Sequence, residues 1–366
     1  MTRSSEASTP AEQFHTGHIR TAVIGFGLSG SVFHAPLIAA NPDFSLDIIA
    51  TSDVQRAADA RRRYPGTVVV RGAAEVLEKA DELDLVVLGT PPATHYPLAK
   101  AALEAGLDVV VDKPFVVTSA QGEELVALAQ RLGRKLTVYQ NRRWDNGFLT
   151  VKGLLERGEL GTVTRFESGM ERWQPEITKS WKAAATVADG GGVFYDLGTH
   201  LLDIAVQLFG PAAVVHAEIQ VRRPQEHADD DVFVVLRHNP VGDAAPVMSH
   251  LTMNQLSGQP GPGFRVLGTQ GTYLKSGIDP QEAQLQGGML PSDPGYGIEP
   301  AQAHGWLGFP GSLGRVQTER GNYPEFYRLL AKAINANGPV PVDPEGPIEV
   351  LRLMEAARRI AEQELS

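Results

Sequence analysis

The sequence contains no cysteine among its 366 residues. It therefore cannot form disulfides, thiolate metal sites or a cysteine nucleophile, and this absence fits a reducing compartment. It also lacks any run of about 18 apolar residues that could span a bilayer, and its first residues lack the apolar core of a signal peptide. We therefore expect a cytoplasmic protein that does not insert into a membrane.

Basic tracts are absent as well. The formal net charge is -10, with 33 lysines and arginines against 43 aspartates and glutamates. This acidic balance makes nucleic acids and anionic membranes poor partners. No cluster of side chains shows metal-ligand spacing, so we expect no metal. The remaining composition, 42% hydrophobic and 21% charged, is typical of a folded globular protein.

The length favours two domains, because a single hydrophobic core rarely grows beyond about 250–300 residues. The pattern of apolar and polar residues along the sequence also divides the chain into two domains. We expect a disordered tail at 1–17, a first domain at 18–140 and a second domain at 141–366.

In the first domain, short apolar runs alternate with amphipathic segments. The predicted strands cover 20–25, 46–51, 67–70, 85–89, 108–111 and 135–139, and the predicted helices include 54–64, 95–105 and 119–132. Strands that are apolar on both faces and joined by helices indicate a parallel sheet. The predicted fold class is therefore α/β, with an N-terminal Rossmann-type doubly wound parallel sheet.

The pattern changes after Gln140. Longer runs with a period of two cover 163–168, 214–221, 232–238, 247–254 and 264–268, which predicts a large, mostly antiparallel sheet in an α+β domain. Such a sheet can leave one face for a partner, so we expect a homodimer or homotetramer formed through it. Glycine and proline crowd 256–321, which we interpret as long functional loops. Helices are predicted at 148–157, 324–334 and 345–364, and the last is a candidate to pack back on the first domain.

A glycine-rich loop, GFGLSG, follows the first strand directly. Gly25 permits a tight turn, Gly27 lets the backbone approach a pyrophosphate, and Gly30 lets the next helix pack on the strand. The helix N-terminus, with Leu28 and Ser29, then offers N–H groups to phosphates. A strand before the loop and a helix after it predict a dinucleotide site, so the expected cofactor is NADP or NAD.

The end of the second strand decides between these two cofactors. NAD-binding proteins usually carry an acid here that binds the ribose 2′-hydroxyl. If Thr51 or Ser52 stands at the tip, no carboxylate repels a 2′-phosphate, and the hydroxyls can bind it with Arg56 or Arg61 nearby. The two arginines fit a solvated helix face about equally well. If Asp53 stands there, NAD is favoured. The first register fits the apolar run better, so we prefer NADP.

Two further segments carry candidate chemistry. Lys113 follows the fifth strand, at the edge where open α/β sheets bind ligands, and Pro114 restricts its backbone. Taken alone, Lys113 fits a surface turn equally well.

Asp196 and His200 follow a run of three glycines that ends at Gly192, and their i, i+4 spacing places both on one helix face. A lone histidine is more often structural, but one paired with an aspartate beside a glycine hinge is a candidate acid–base group.

Several segments together resemble the Gfo/Idh/MocA oxidoreductases. They are AVIGFG from Ala22, TPPATH from Thr90, DKP from Asp112 and GVFYDLGTH from Gly192. The resemblance covers nearly the whole chain from Ile19, although Asp112 stands where the family usually has Glu, and Pro92 where it usually has Asn. The runs GFGLSGSVFHAPL, QNRRWD and GIDPQE look like the branch that contains NADP-dependent scyllo-inositol dehydrogenases.

The resemblance implies a dehydrogenase that moves a hydride between NAD(P) and a secondary alcohol of a small-molecule polyol or sugar. It assigns the chemistry to Lys113, Asp196 and His200, with His200 as acid–base group, Lys113 at the reacting oxygen, and Asp196 holding another hydroxyl or orienting the pair. The candidate cofactor-binding residues are Gly25, Gly27, Leu28, Ser29, Gly30, Thr51, Ser52, Arg56, Thr90, Pro91, His95, Lys113 and Gln140. The candidate substrate-binding residues are Arg142, Trp144, Trp173 and Tyr323, with Arg143, Lys179 and Trp181 as further candidates. We expect His34 and His95 to line the cofactor cleft without titrating.

Two other functions share these features. One is an enzyme of the same fold that oxidises and re-reduces its substrate without releasing the cofactor. The other is a non-catalytic sensor that binds NAD(P) or a sugar, and such relatives are expected to lack the reactive lysine. The presence of Lys113, Asp196 and His200 together favours an enzyme.

We predict that Lys113→Ala abolishes turnover while cofactor binding is mostly retained, because the amine stabilises charge that develops during the reaction. Steady-state rates and a cofactor titration measure the two effects separately. Unchanged turnover in this variant would refute the assignment of Lys113.

Overall fold

The computed structural model of the protein describes residues 17–177, 184–224, 226–240, 242 and 245–364. The predicted tail lies outside these ranges except for Gly17, and so do the candidates Lys179 and Trp181. Within the described ranges, no helix combines the length and apolar character needed to cross a bilayer.

Six parallel strands form the first sheet. They are β1 (Ile19–Ile24), β2 (Phe44–Ala50), β3 (Val68–Val70), β4 (Leu85–Leu88), β5 (Asp108–Asp112) and β6 (Leu136–Tyr139). The accompanying α-helices are α1 (Ala35–Ala39), α2 (Val54–Arg63), α3 (Ala73–Leu77), α4 (His95–Glu104) and α5 (Ser119–Leu132). The strand order β3-β2-β1-β4-β5-β6 reverses between β1 and β4, and β4 is buried along its whole length. The predicted doubly wound parallel sheet is confirmed, and the reversal of strand order marks where such sheets bind ligands.

Eight strands form the second sheet. They are β7 (Val163–Glu171), β8 (Ala212–Gln220), β9 (Asp231–His238), β10 (Met248–Asn254), β11 (Phe264–Gly268), β12 (Gly271–Lys275), β13 (Gly305–Phe309) and β14 (Ser312–Val316). Their order is β14-β13-β12-β11-β7-β10-β9-β8, and neighbours run antiparallel except β7 with β10. The expected large, mostly antiparallel sheet is confirmed.

The stretch 256–321 is not the set of long loops that its glycines and prolines predicted. It contains β11, which was predicted, and also β12, β13 and β14. Glycines interrupt the alternation of apolar and polar residues in these short strands, and β14 is exposed along most of its length. Without a buried face, a strand carries no period-of-two signal.

Five further α-helices follow the first sheet along the described part of the chain. They are α6 (Asn146–Glu156), α7 (Thr199–Phe209), α8 (Gln281–Gln286), α9 (Pro324–Asn335) and α10 (Glu345–Glu364). The last of these, α10, packs on β8 and also on α5 of the first sheet. A Cβ added at Gly122 of α5 would lie 2.7 Å from Ile348 Cγ1, so this glycine permits the close approach of α10.

Candidate active site

The glycine loop after β1 meets two different demands. Gly25 has φ +95°, and a Cβ there would lie 2.5 Å from the carbonyl oxygen of Gly89. A Cβ at Gly30 would lie 1.9 Å from the carbonyl oxygen of Gly25. At Gly27, by contrast, the nearest atom is Arg56 Nη1 at 3.6 Å. The fold itself therefore requires glycine at positions 25 and 30, whereas the space beside Gly27 is open for a ligand.

The helix that follows supplies unused polar groups. A π-helical segment, Ser29–His34, runs directly into α1, and Leu28 precedes it. Ser29 Oγ is buried and has no hydrogen-bond partner among the described residues. An open cradle and an orphaned hydroxyl at a helix start fit the pyrophosphate of a dinucleotide.

The tip of β2 carries hydroxyls rather than a free carboxylate. The strand ends at Ala50, and Thr51 and Ser52 follow it. Asp53 is the N-cap of α2, and its Oδ1 accepts a hydrogen bond from Arg56 N at 2.9 Å. Its carboxylate is thus committed to the helix start, as in the register that we preferred. The Arg56 guanidinium lies beside Gly27.

Two histidines predicted to line the cofactor cleft are instead fully buried. His95 Nε2 lies 2.8 Å from Thr90 O, and its Nδ1 lies 2.9 Å from Pro114 O. This ring therefore ties the loop after β4, which also contains Pro91, to the loop that carries Lys113. His34 Nδ1 lies 2.7 Å from the Tyr327 hydroxyl, and burial lowers the pKa of His34 to about 4. Both histidines are structural, because neither presents a face to the cleft.

Lys113 and Asp196 meet across the two sheets. Lys113 follows β5, and the peptide between it and Pro114 is cis. Its Nζ donates to Asp196 Oδ1 at 2.9 Å and to Asp196 O at 2.8 Å. The structure therefore brings together two residues that the sequence separates by 83 positions.

Asp196 does not lie on a regular α-helix. It belongs to a π-helical segment, Phe194–Gly198, which continues into α7 with His200 in its first turn. Gly192, with φ +97°, precedes the segment. Short π-helical segments in helices recur at functional sites. Asp196 and His200 thus lie in consecutive turns of one continuous helical segment, and the negative charge of Asp196 acts to raise the pKa of His200.

His200 is buried, and it is the acid–base candidate of the site. Burial lowers its pKa well below the ordinary 6.5, the positive charges of Lys113 and Arg142 lower it further, and Asp196 opposes them. Its Nδ1 has no hydrogen-bond partner in the part of the chain that the structure describes. At neutral pH, His200 is therefore a neutral imidazole that carries an unused ring nitrogen.

Arg142 is the second cation near His200. It lies in a 3₁₀ turn after β6, beside Gln140, whose buried Oε1 has no partner among the residues described. Arg142 Nη1 donates to Asp145 Oδ2 at 2.8 Å. Asp145 Oδ1 in turn accepts from the Tyr323 hydroxyl at 2.8 Å. The two described cations whose charges act on His200 thus each have a carboxylate partner, Lys113 with Asp196 and Arg142 with Asp145.

The aromatic residues predicted to bind substrate differ widely in exposure. Tyr323 is buried, and its hydroxyl donates a hydrogen bond to Asp145. Trp144 is also buried and packs edge-on against Phe326, with ring centroids 5.7 Å apart. Trp173 is 64% exposed and forms an isolated β-bridge with Leu256. Trp144 and Tyr323 offer no exposed ring face to a sugar, which corrects the prediction for these two residues.

Sequence reasoning missed the ion pair between Arg143 and Asp203. Arg143 Nε and Nη2 donate to the two Asp203 oxygens at 2.8 and 2.6 Å, and both side chains are largely buried. Asp203 lies three positions after His200 on α7, so this spacing was the available signal. Arg143 thus joins the 3₁₀ turn after β6 to α7, the helix that carries His200.

This fold and this site define a class of protein, a nicotinamide-dependent dehydrogenase that acts on a CH–OH group of a small molecule. Residues 19–140 match the NAD-binding Rossmann fold of an oxidoreductase family, and residues 152–364 match the C-terminal alpha/beta domain of the same family. The chain belongs to the Gfo/Idh/MocA oxidoreductases.

Named relatives agree with this membership. The chain is 40% identical over 350 residues to the oxidoreductase YdgJ of Escherichia coli, covering 92% of this chain and 95% of the relative. It is 32% identical over 343 residues to the scyllo-inositol 2-dehydrogenase (NADP(+)) IolW of Bacillus subtilis. That match covers 93% of this chain and 92% of the relative. Among solved structures, the oxidoreductase YvaA of Bacillus subtilis superposes with a TM-score of 0.89 at 30% sequence identity. The superposition covers 96% of this chain and 98% of the YvaA chain.

We predict that Gly27→Ala and Gly30→Ala fail in different ways. Gly27→Ala folds normally but weakens cofactor binding on the order of tenfold, because its methyl group occupies the space left for the pyrophosphate. Gly30→Ala lowers the melting temperature, because its methyl group collides with the Gly25 carbonyl. Thermal unfolding and a cofactor fluorescence titration separate the two outcomes. Undiminished binding by Gly27→Ala would contradict the placement of the cofactor.

Proposed function

We propose that the protein is an NADP-linked dehydrogenase that interconverts a secondary alcohol and a ketone on a cyclitol or sugar. The observation that supports this most is the contact between Lys113 and Asp196 next to a neutral His200. These three groups lie together at the carboxyl edge of the parallel sheet, where the glycine loop also begins.

The bound nicotinamide would accept the hydride from the alcohol carbon, or return it to the ketone. Neutral His200 accepts the hydroxyl proton during oxidation, and in reduction its protonated form returns that proton. The Lys113 ammonium donates a hydrogen bond to the reacting oxygen and stabilises the negative charge that develops on it. Asp196 accepts hydrogen bonds from that ammonium and so orients it toward the substrate.

The lowered pKa of His200 suits this exchange of protons. A buried imidazole flanked by two cations is a poor base but a good acid once protonated. It therefore favours return of the proton to a ketone, whereas oxidation is helped by Lys113, which makes the hydroxyl more acidic.

The charges of the described site residues support a polyol as the class of substrate. Lys113 pairs with Asp196 and Arg142 with Asp145, so the pocket presents donors and acceptors without a large excess of either charge. Hydroxyl groups both donate and accept, and they match such a lining. The similarity to a scyllo-inositol 2-dehydrogenase supports the same class.

The preference for NADP is supported at the tip of β2. Thr51 and Ser52 offer hydroxyls there, Asp53 is turned to the start of α2, and the Arg56 guanidinium lies beside the glycine loop. A guanidinium binds phosphate oxygens strongly through charge-assisted hydrogen bonds.

We further propose a homodimer or homotetramer formed through the second sheet. Trp306, Phe309 and Leu313, on β13 and β14, are exposed large apolar residues, and with Leu274 they border a groove of about 740 Å³. A contiguous exposed apolar surface of this kind is typical of an interface. The cytoplasm remains our proposal for its location, on the compositional grounds given above.

The activity is tested by offering the purified protein NADP or NAD with a panel of inositols and aldoses. We expect the absorbance of reduced cofactor to rise with at least one cyclitol, and faster with NADP. Tight cofactor binding without turnover of any substrate would instead favour a non-catalytic sensor that binds NAD(P) or a sugar. Turnover without exchange of added, labelled cofactor would instead indicate an enzyme that retains it.

We predict that Arg56→Ala raises the KM for NADP about tenfold to a hundredfold and leaves the KM for NAD unchanged, because it removes a charged hydrogen bond to the 2′-phosphate. Arg62→Ala is the matched control, because Arg62 is an exposed arginine on the same helix that pairs with Asp59, and it should change neither value. Equal effects of Arg56→Ala on both cofactors would exclude Arg56 from phosphate recognition.

We predict that kcat/KM for alcohol oxidation declines on the acid side with a midpoint below pH 6.5. His200 must lose its proton to act as a base, and its pKa lies below the ordinary 6.5 in the folded protein. His200→Gln should remove this limb together with most of the activity. An acid limb centred at or above pH 6.5 would show that His200 is not the group that titrates.

A further inference from the structure

The C-terminal helix α10 reaches the start of the segment that carries Asp196. Arg358 Nη2 donates to Asp229 Oδ2 at 2.8 Å. The guanidinium carbon of Arg358 lies 5.4 Å from the ring centroid of Phe194 and 5.3 Å from that of Tyr195. These two rings belong to the residues immediately before Asp196. A guanidinium over aromatic faces is an attractive arrangement, so Arg358 holds both rings from one side.

Asp229 connects Arg358 to the backbone at the start of the π-helical segment. Its side chain is buried, its Oδ1 accepts from Phe194 N at 2.7 Å, and its carbonyl accepts from Val193 N at 2.8 Å. A Cβ at Gly192 would lie 2.7 Å from this carboxylate. The carboxylate therefore occupies the space that glycine leaves and satisfies the Phe194 N–H, while the Asp229 carbonyl satisfies the Val193 N–H.

The same helix also anchors the loop that follows Lys113. Glu355, one turn before Arg358, accepts from Ser119 N at 2.8 Å and from Ser119 Oγ at 2.9 Å. The Tyr195 hydroxyl donates to Val117 O at 2.8 Å, which joins the loop to the ring under Arg358. Adjacent turns of α10 thus contact both segments of the site. Glu355 binds the start of α5, which follows the Lys113 loop, and Arg358 contacts the residues just before Asp196.

We propose that Arg358, acting through Asp229, is a positioning residue for the reaction. It fixes the segment Phe194–Gly198 so that Asp196 receives the Lys113 ammonium. Its own contacts are with protein groups behind that segment. The inference rests on the proposed function, since it gives α10 a part in alcohol oxidation. Lysine can replace the charge of Arg358, but not the planar group that pairs and stacks at once.

Three variants test the proposal. Arg358→Met keeps the length of the side chain, and we expect kcat to fall on the order of tenfold to a hundredfold with an unchanged KM for NADP, because a small displacement of Asp196 misplaces the reacting groups. Arg358→Lys should recover part of the lost rate. Arg352→Met is the matched control on the same helix, because its exposed pairs with Glu123 and Glu349 contribute little, and its kcat should not change.

A crystal structure of Arg358→Met gives a readout that does not depend on turnover. We expect the distance from Lys113 Nζ to Asp196 Oδ1 to lengthen from 2.9 Å to beyond hydrogen-bonding range, with the glycine loop unchanged. An unchanged distance, or an unchanged kcat, would overturn the proposal. So would parallel losses of kcat, cofactor affinity and melting temperature that Arg358→Lys does not reduce, because these mark a general loss of structure.

Two further outcomes remain distinguishable. If Arg358→Met does not fold, Asp229→Asn takes its place, because the amide oxygen still accepts from Phe194 N while the charge that binds Arg358 is lost. If the wild-type protein oxidises no polyol, the proposed function fails, and the distance between Lys113 and Asp196 in the variant still decides the role of Arg358.

Discussion

The contact between Lys113 and Asp196 is the interaction on which the rest of the site depends. One partner follows the fifth strand of the parallel sheet, and the other lies on a π-helical segment packed against the second sheet. The side chains are 20% and 33% exposed, so the pair is mostly sheltered from solvent. Its importance is geometric, because it sets an ammonium beside His200 at the edge of the sheet where the glycine loop begins.

Burial and charge then determine what the site can do. Burial together with the Lys113 and Arg142 charges keeps His200 neutral, and paired carboxylates keep both cations from dominating the pocket. Much of the supporting structure serves to hold these groups at fixed distances. Arg143 pins α7 through Asp203, while α10 reaches the segment before Asp196.

The sequence predicted the parts of this arrangement that leave a local signal. Strands that are buried on one or both faces show the predicted periodicity, and the predicted need for glycine at positions 25 and 30 agrees with the close contacts there. The strands β12 to β14 were missed because glycines and exposure erase the alternation. The substrate roles of Trp144 and Tyr323 were wrong, since composition does not distinguish an aromatic ring in a pocket wall from one packed behind it. The π-helical segment depends on Asp229, which no local pattern connects to it.

The most direct measurement is a crystal structure with NADP and a cyclitol bound. The account predicts the nicotinamide C4 beside a substrate carbon whose oxygen lies within hydrogen-bonding distance of both Lys113 Nζ and a ring nitrogen of His200. A nicotinamide ring bound away from these two groups, or a substrate oxygen in contact with neither, would contradict it.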